Sequence, residues 1–145
     1  NDKIINAGVS VSDSVESEFY IFDIKGINTF DKEEAIKRES FGTHTIKEIV
    51  KVPLIHINQL IKQNFRRYPD FMSIDIEGLD FEVLKSLDFE IYPISVICVE
   101  TCFYSESHIR PKDNRIIDFM LSKGYEIYAD TYINSIFVKK DWFYA

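Results

Sequence analysis

From residue 50 onward the spacing of apolar residues switches repeatedly between the period of a strand and the period of a helix. Val50–Ile55 reads as a strand interrupted by Pro53, which suits an edge position. Ile57, Leu60, Ile61, Phe65 and Tyr68 recur at helical spacing, in a helix that ends before Pro69. Phe71–Ile76 is expected to be a strand, and Asp80–Leu87 a helix with Phe81, Leu84 and Leu87 on one face. Ile94–Val99 is a nearly continuous β-branched run, the pattern of a strand covered on both faces. Asn114–Lys123 has a stripe of Ile116, Ile117, Met120 and Leu121, and Gly124 sits where a left-handed C-cap belongs. Tyr125–Ala129 and Ser135–Lys139 close the pattern as two strands with no helix between them, which predicts an antiparallel pair at a sheet edge. Such alternation implies an α/β layer structure with a mostly parallel sheet.

The first third is less regular. Ile4–Ala7 and Phe19–Ile24 read as strand, turn, strand, while 26–48 is rich in charge and poor in apolar residues, as in a mobile loop or surface helix. With 145 residues the chain suggests one domain able to bury roughly 70% of its unfolded surface. A net charge of −7 argues against binding to a phosphate backbone, and the small basic group Lys62, Arg66, Arg67 reads as a solvated helix face. No nucleic-acid partner is expected. Neither a signal peptide nor a membrane-spanning apolar run is evident, so a cytoplasmic protein is expected. Cys98 and Cys102 stand too far apart on an extended strand for a disulfide and read as two reduced thiols. The chain opens on Asn-Asp-Lys without methionine and reads as a fragment or a processed form.

Ser73-Ile74-Asp75-Ile76-Glu77-Gly78-Leu79-Asp80 is where chemistry is most expected, because an apolar strand runs there into a cluster of acids. In open α/β sheets, ligands bind outside the carboxyl ends of the strands. Asp80 can cap the following helix. Asp75 is harder to explain structurally, since an acid inside an apolar strand is costly without a partner. Glu100 ends the next strand, so in a parallel sheet Asp75, Glu77 and Glu100 would share an edge and could hold substrate hydroxyls or a divalent metal such as Mg²⁺. His44, His56 and His108 lack metal-ligand spacing, although His108 lies in the loop after the Glu100 strand and could act as a base. Ser105 and Ser107 lack a nucleophile-elbow pattern.

The stretch Phe71 to Lys85 resembles the signature of FkbM-type methyltransferases, in which the fourth strand ends in Asp-x-Glu-Gly and leads into a helix bearing Val-Leu-Lys, here Val83-Leu84-Lys85. Asn6-Ala7-Gly8-Val9-Ser10 with Phe19-Tyr20 resembles the family's third strand and following hairpin. Val96–Glu100 resembles its fifth strand, and Gly124-Tyr125 with Asn134–Val138 the end of the last helix and the final strand. The chain departs from the pattern at Ser73, usually Lys, and Asp80, usually Glu. None of Gly8, Gly26, Gly42, Gly78 and Gly124 forms a Gly-x-Gly turn, and the first two strands of the fold find no counterpart.

The resemblance implies a single partial domain over 1–145, from strand three onward, in a Rossmann-like three-layer α/β fold with an antiparallel edge hairpin. It also implies transfer of a methyl group from S-adenosyl-L-methionine to a hydroxyl of a small molecule or glycan. Asp75, Glu77 and Glu100 are then the expected catalytic residues, with Asp80, Tyr104, His108 and Asn134 as substrate contacts. A rival expectation is a non-catalytic binding module that dimerises through an exposed sheet edge. Metal-dependent phosphoester hydrolysis at the acids is a weaker third.

Overall fold

A computed structural model describes residues 2–12, 14–76, 79–103 and 110–145. The described residues form a mixed α/β structure with two sheets and five helices. Strands β1 (Gly8–Ser10), β2 (Glu16–Phe22) and β3 (Ile46–His56) make the first sheet, in the order β1-β3-β2. Strands β4 (Phe71–Ile74), β5 (Val96–Glu100), β6 (Tyr125–Asp130) and β7 (Asn134–Lys139) make the second, in the order β4-β5-β7-β6. The helices are α1 (Lys32–Ser40), α2 (Ile57–Asn64), α3 (Asp80–Ser86), α4 (Asn114–Ser122) and the short α5 (Lys140–Phe143).

Several expectations hold. β6 and β7 are an antiparallel pair with β6 at the edge, because only Thr131, Tyr132 and Ile133 join them and a parallel return needs a far longer crossover. β4 and β5 are parallel neighbours, with Ile74 opposite Val99. Gly124 adopts φ 83 just past α4, where a side chain would be strained. Cys98 and Cys102 are free thiols.

Others are corrected. Among the described residues the β1–β3 and β4–β5 pairings are parallel, while β2–β3, β5–β7 and β6–β7 are antiparallel, so the sheets are mixed and not mostly parallel. Each sheet keeps one parallel pair, whose outer member, β1 or β4, is an edge strand among the described residues. The three-layer expectation also changes. In β5, Ile97 and Val99 are fully buried while Val96, Cys98 and Glu100 are half-buried, so only one face is sealed. Helices α2, α3 and α4 adjoin one another in succession and share that sealed core, with Ile61, Leu84, Ile116 and Met120 packed around Ile94, Ile97 and Phe137. Phe89 stands edge-on to both Phe119 and Tyr125, with ring centroids 5.9 and 5.7 Å away.

Pro53 lies on a central strand rather than an edge. It is tolerated because β1 pairs only with Leu54–His56 and leaves Pro53 outside the doubly bonded span. The first strand begins at Gly8 and not within Ile4–Ala7, where Ile4 is 93% exposed and has no apolar layer to face. The charged 26–48 segment is a helix followed by the start of β3. Asp31 caps α1 by accepting from the Glu33 and Glu34 N–H groups, and a second small core of Tyr20, Phe22, Ile27 and Ala35 holds it down. α2 stops at Asn64, since Phe65 is already extended, four residues before Pro69. No helix among the described residues is long and apolar enough to cross a membrane.

Candidate functional site

The carboxyl end of the parallel pair β4–β5 sets the site. The register places Asp75 one residue beyond Ile74 and level with Glu100, on neighbouring strands. Asp75 is exposed and stands just outside β4, so the expected desolvation cost of an acid within the strand does not arise. Glu100, at the last position of β5, keeps 16% of its side chain exposed and faces Arg110, with Oε1 to Nη1 at 3.6 Å.

Asp80 turns out differently from a capping residue. It is the first residue of α3, which has Leu79 at its N-cap and no side-chain cap bond. Its carboxylate reaches back instead, and Oδ1 accepts from the Ile76 N–H at 3.3 Å while the residue is only 5% exposed. Asp80 thereby ties the start of α3 to the chain leaving β4. His56, by contrast, does cap a helix, its Nδ1 accepting from the Asn58 N–H at 3.2 Å.

Two cavities flank this edge. The first, about 240 Å³, is charged and lined by Asp80, Phe81, Glu100, Arg110 and Arg115, with Arg38 and Glu34 of α1 closing it from the other side. The second, about 340 Å³, is an apolar groove between β1 and β4 whose walls include Val9, Ile57, Phe71, Ile74 and Asp75. Asp75 and Glu100 therefore stand level on adjacent strands but border different spaces. Asn134 sits opposite Glu100 on β7 and lines neither cavity. Glu77, Tyr104 and His108 lie outside the described residues. Among the described residues no group of three His, Cys, Asp or Glu side chains could hold a metal ion.

Sequence reasoning missed the cations. Arg115 makes a two-point pair with Asp113, Nε to Oδ1 at 2.8 Å and Nη2 to Oδ2 at 2.6 Å. This hydrogen bond pushes the Arg115 guanidinium further above its ordinary value. The same guanidinium lies 5.1 Å from the Phe81 ring centroid and 5.3 Å from that of Phe103, which fixes its plane. Arg38 is 2% exposed, donating to the Ile27 carbonyl at 2.6 Å and to Glu34 at 3.2 Å. A charge-rich stretch gave no hint that one of its arginines is buried. The one readable signal was Asp113 directly before the α4 stripe, where it accepts from the Arg115 N–H as an N-cap.

Behind Glu100 the strand ends are fastened together. The buried hydroxyls of Thr101 and Ser135 share a 2.7 Å hydrogen bond. Lys112 donates to Thr101 Oγ1 at 3.1 Å and pairs with Asp130 at 2.8 Å. The Lys112 hydrogen bond, more than any other influence, holds the Asp130 carboxyl below its usual range. Tyr132 occupies a left-handed conformation, φ 77, in the β6–β7 turn, and its hydroxyl accepts from the Arg110 N–H at 3.1 Å.

The apolar groove suits a nucleoside-bearing cofactor poorly. S-adenosyl-L-methionine carries a ribose diol, an amino-acid group and a purine, each needing polar partners. The groove offers one carboxylate, Asp75, and one hydroxyl, Ser73, among apolar walls. Gly8 provides no cradle either, because a Cβ there would meet Phe30 at 2.5 Å and Leu54 at 2.8 Å, which makes it a packing glycine. The described residues do not fit the whole cofactor.

The family described as Methyltransferase FkbM domain matches residues 1–127. No curated protein and no solved structure matches the chain.

Proposed function

The chain belongs to the FkbM methyltransferase family, and from that premise we propose that it forms the acceptor side of an O-methylation site using S-adenosyl-L-methionine. One observation carries this reading. Glu100, at the carboxyl end of β5, and Asp80, at the start of the helix that follows the parallel neighbour β4, border a single charged cavity. That is the position in which α/β sheets hold ligands.

The chain's own residues would bind and orient the acceptor and take up its proton. Glu100 accepts a hydrogen bond from the acceptor hydroxyl and receives the proton as the oxygen reacts, with Arg110 beside it. Asp80, anchored on the Ile76 N–H, orients a second hydroxyl. Most of the rate advantage would come from such positioning. Asp75, exposed beyond β4, is available to a ligand on the groove side. The methyl group itself would come from S-adenosyl-L-methionine, which the described residues alone do not cradle.

The test is transfer of labelled methyl from S-adenosyl-L-methionine into a panel of hydroxyl compounds by the full-length protein. Label on oxygen, lost by roughly 10²-fold or more in Glu100→Gln at unchanged melting temperature, is the expected result. Label on nitrogen or carbon, or a fully active Glu100→Gln, would reject the reading.

A second reading follows from the free edge of β4. Its residues Phe71-Met72-Ser73-Ile74 are uncharged and Phe71 is 56% exposed, without the charges or proline that usually protect such edges. On this reading the chain pairs with a second copy through β4. Sedimentation should then show a dimer that Met72→Lys dissociates, and a monomer at all concentrations would dismiss it.

A further inference from the structure

We infer that the charged cavity selects a neutral, polyhydroxylated ring the size of one sugar unit, and discriminates against anionic acceptors. This deepens the O-methylation reading and rests on it. Asp31, Glu34, Asp80, Glu100 and Asp113 face Lys37, Arg38, Arg110 and Arg115, which leaves the described residues of the lining one negative charge in excess. Every one of these cations is already engaged by a carboxylate. Arg115 pairs with Asp113 at 2.6 Å, Arg38 and Lys37 with Glu34 at 3.2 and 3.5 Å, and Arg110 with Glu100 at 3.6 Å.

A phosphate or carboxylate entering here brings its charge beside the carboxylates that already hold these cations, Glu100 among them with 16% of its side chain exposed. Like charges brought that close repel, and cations already paired with carboxylates offset little of that repulsion. A polyol displaces nothing. Each guanidinium has five N–H donors and each carboxylate about four acceptor sites, so the existing pairs leave capacity for hydroxyl groups on both sides. The rings of Phe81 and Phe103 add apolar surface to the same wall.

Size narrows the choice further. A cavity of about 240 Å³ lies below the roughly 300–1,000 Å³ that holds drug-sized ligands. A single pyranose ring suits it, and a macrocyclic alcohol does not.

The experiment is an NMR titration of the protein labelled on its arginine side chains and phenylalanine rings. The probes are methyl α-D-glucopyranoside, methyl α-D-mannopyranoside, methyl β-D-galactopyranoside, glucose 6-phosphate and glucuronate. At least one neutral glycoside should give saturable shifts at Arg115 and Phe81, with a dissociation constant below about 10 mM, and bind about tenfold or more tightly than either anion. Glu100→Gln, its folding checked by melting temperature, should weaken that binding about tenfold. Tighter binding of an anion, or no saturable shift with any neutral glycoside, overturns the inference. The outcomes separate from those above: glycoside binding without methyl transfer removes the O-methylation reading alone. Methyl transfer to a hydroxyl compound that does not compete with the glycoside removes this inference alone.

Discussion

Asp75 and Asp80 lie five positions apart and look equally acidic in the sequence, yet their surroundings differ sharply. Asp80 is 5% exposed and holds the Ile76 N–H, whereas Asp75 is exposed and lies beyond its strand. Removing the Asp80 carboxylate leaves a backbone donor without its partner, which costs about 1–3 kcal/mol. Asp80→Ala should therefore lower the melting temperature by several degrees. Asp80→Asn keeps an acceptor oxygen and should recover most of that loss. Asp75→Asn should stay within about 0.5 kcal/mol of the parent, as exposed substitutions usually do. Chemical denaturation of the three variants side by side is the measurement. A destabilised Asp75→Asn with a neutral Asp80→Ala would invert the assignment. The sequence read Asp80 as a helix cap and ranked Asp75 above it as the functional acid, but it could not show which of the two is buried, because that depends on where the strand ends. That end, at Ile74 and not Ile76, depends on β4 pairing with β5, and no local pattern encodes it.

At the scale of elements, α4 and β6 meet through Gly124, and Tyr125 locks the junction. The Tyr125 ring is fully buried and its hydroxyl donates to the Ile94 carbonyl at 2.6 Å, joining β6 to the residues ahead of β5. Burial, with a smaller contribution from Tyr68, pushes this hydroxyl well above its ordinary value. A raised value in the fold means that the unfolded chain releases the proton first. The associated stability is intact below pH about 10 and is lost as pH rises beyond it. Tyr125→Phe should cost about 1–3 kcal/mol at neutral pH, since the Ile94 carbonyl loses its donor. The variant should also lose stability less steeply than the parent between pH 9 and 11, in urea melts at each pH. Equal slopes would show that Tyr125 titrates normally in the fold. Helices and strands from Phe71 onward were readable because their apolar periods are long and bounded by Gly or Pro. The early segments were harder: β1 has three residues, and α1 is held by a core of four buried residues to which it contributes Ala35 alone.

Across the described residues, β1 and β4 are each one of the two edge strands of their sheets, and both contribute walls to the same apolar groove. The motif around Asp75 made the family legible, and the missing glycine turn was equally legible. What the sequence could not show is that the acids divide between two cavities of opposite character, with Asp80 and Glu100 in the charged one and Asp75 in the apolar one. That division leads to a prediction about the cofactor. A tightly held S-adenosyl-L-methionine needs partners for its diol, its amino acid and its purine, and an unpaired polar group in an apolar groove costs more than its contacts return. Asp75 and Ser73 can satisfy only part of this. Calorimetric titration of this 145-residue chain should give a dissociation constant weaker than about 10 µM, or roughly −7 kcal/mol. Whatever binding remains should fall further in Asp75→Asn and be unaffected by Glu100→Gln, because Glu100 borders the other cavity. Binding tighter than 10 µM would mean that these residues form a more complete cradle than the groove's lining supports. Equal sensitivity to both substitutions would mean that the two cavities act as one site.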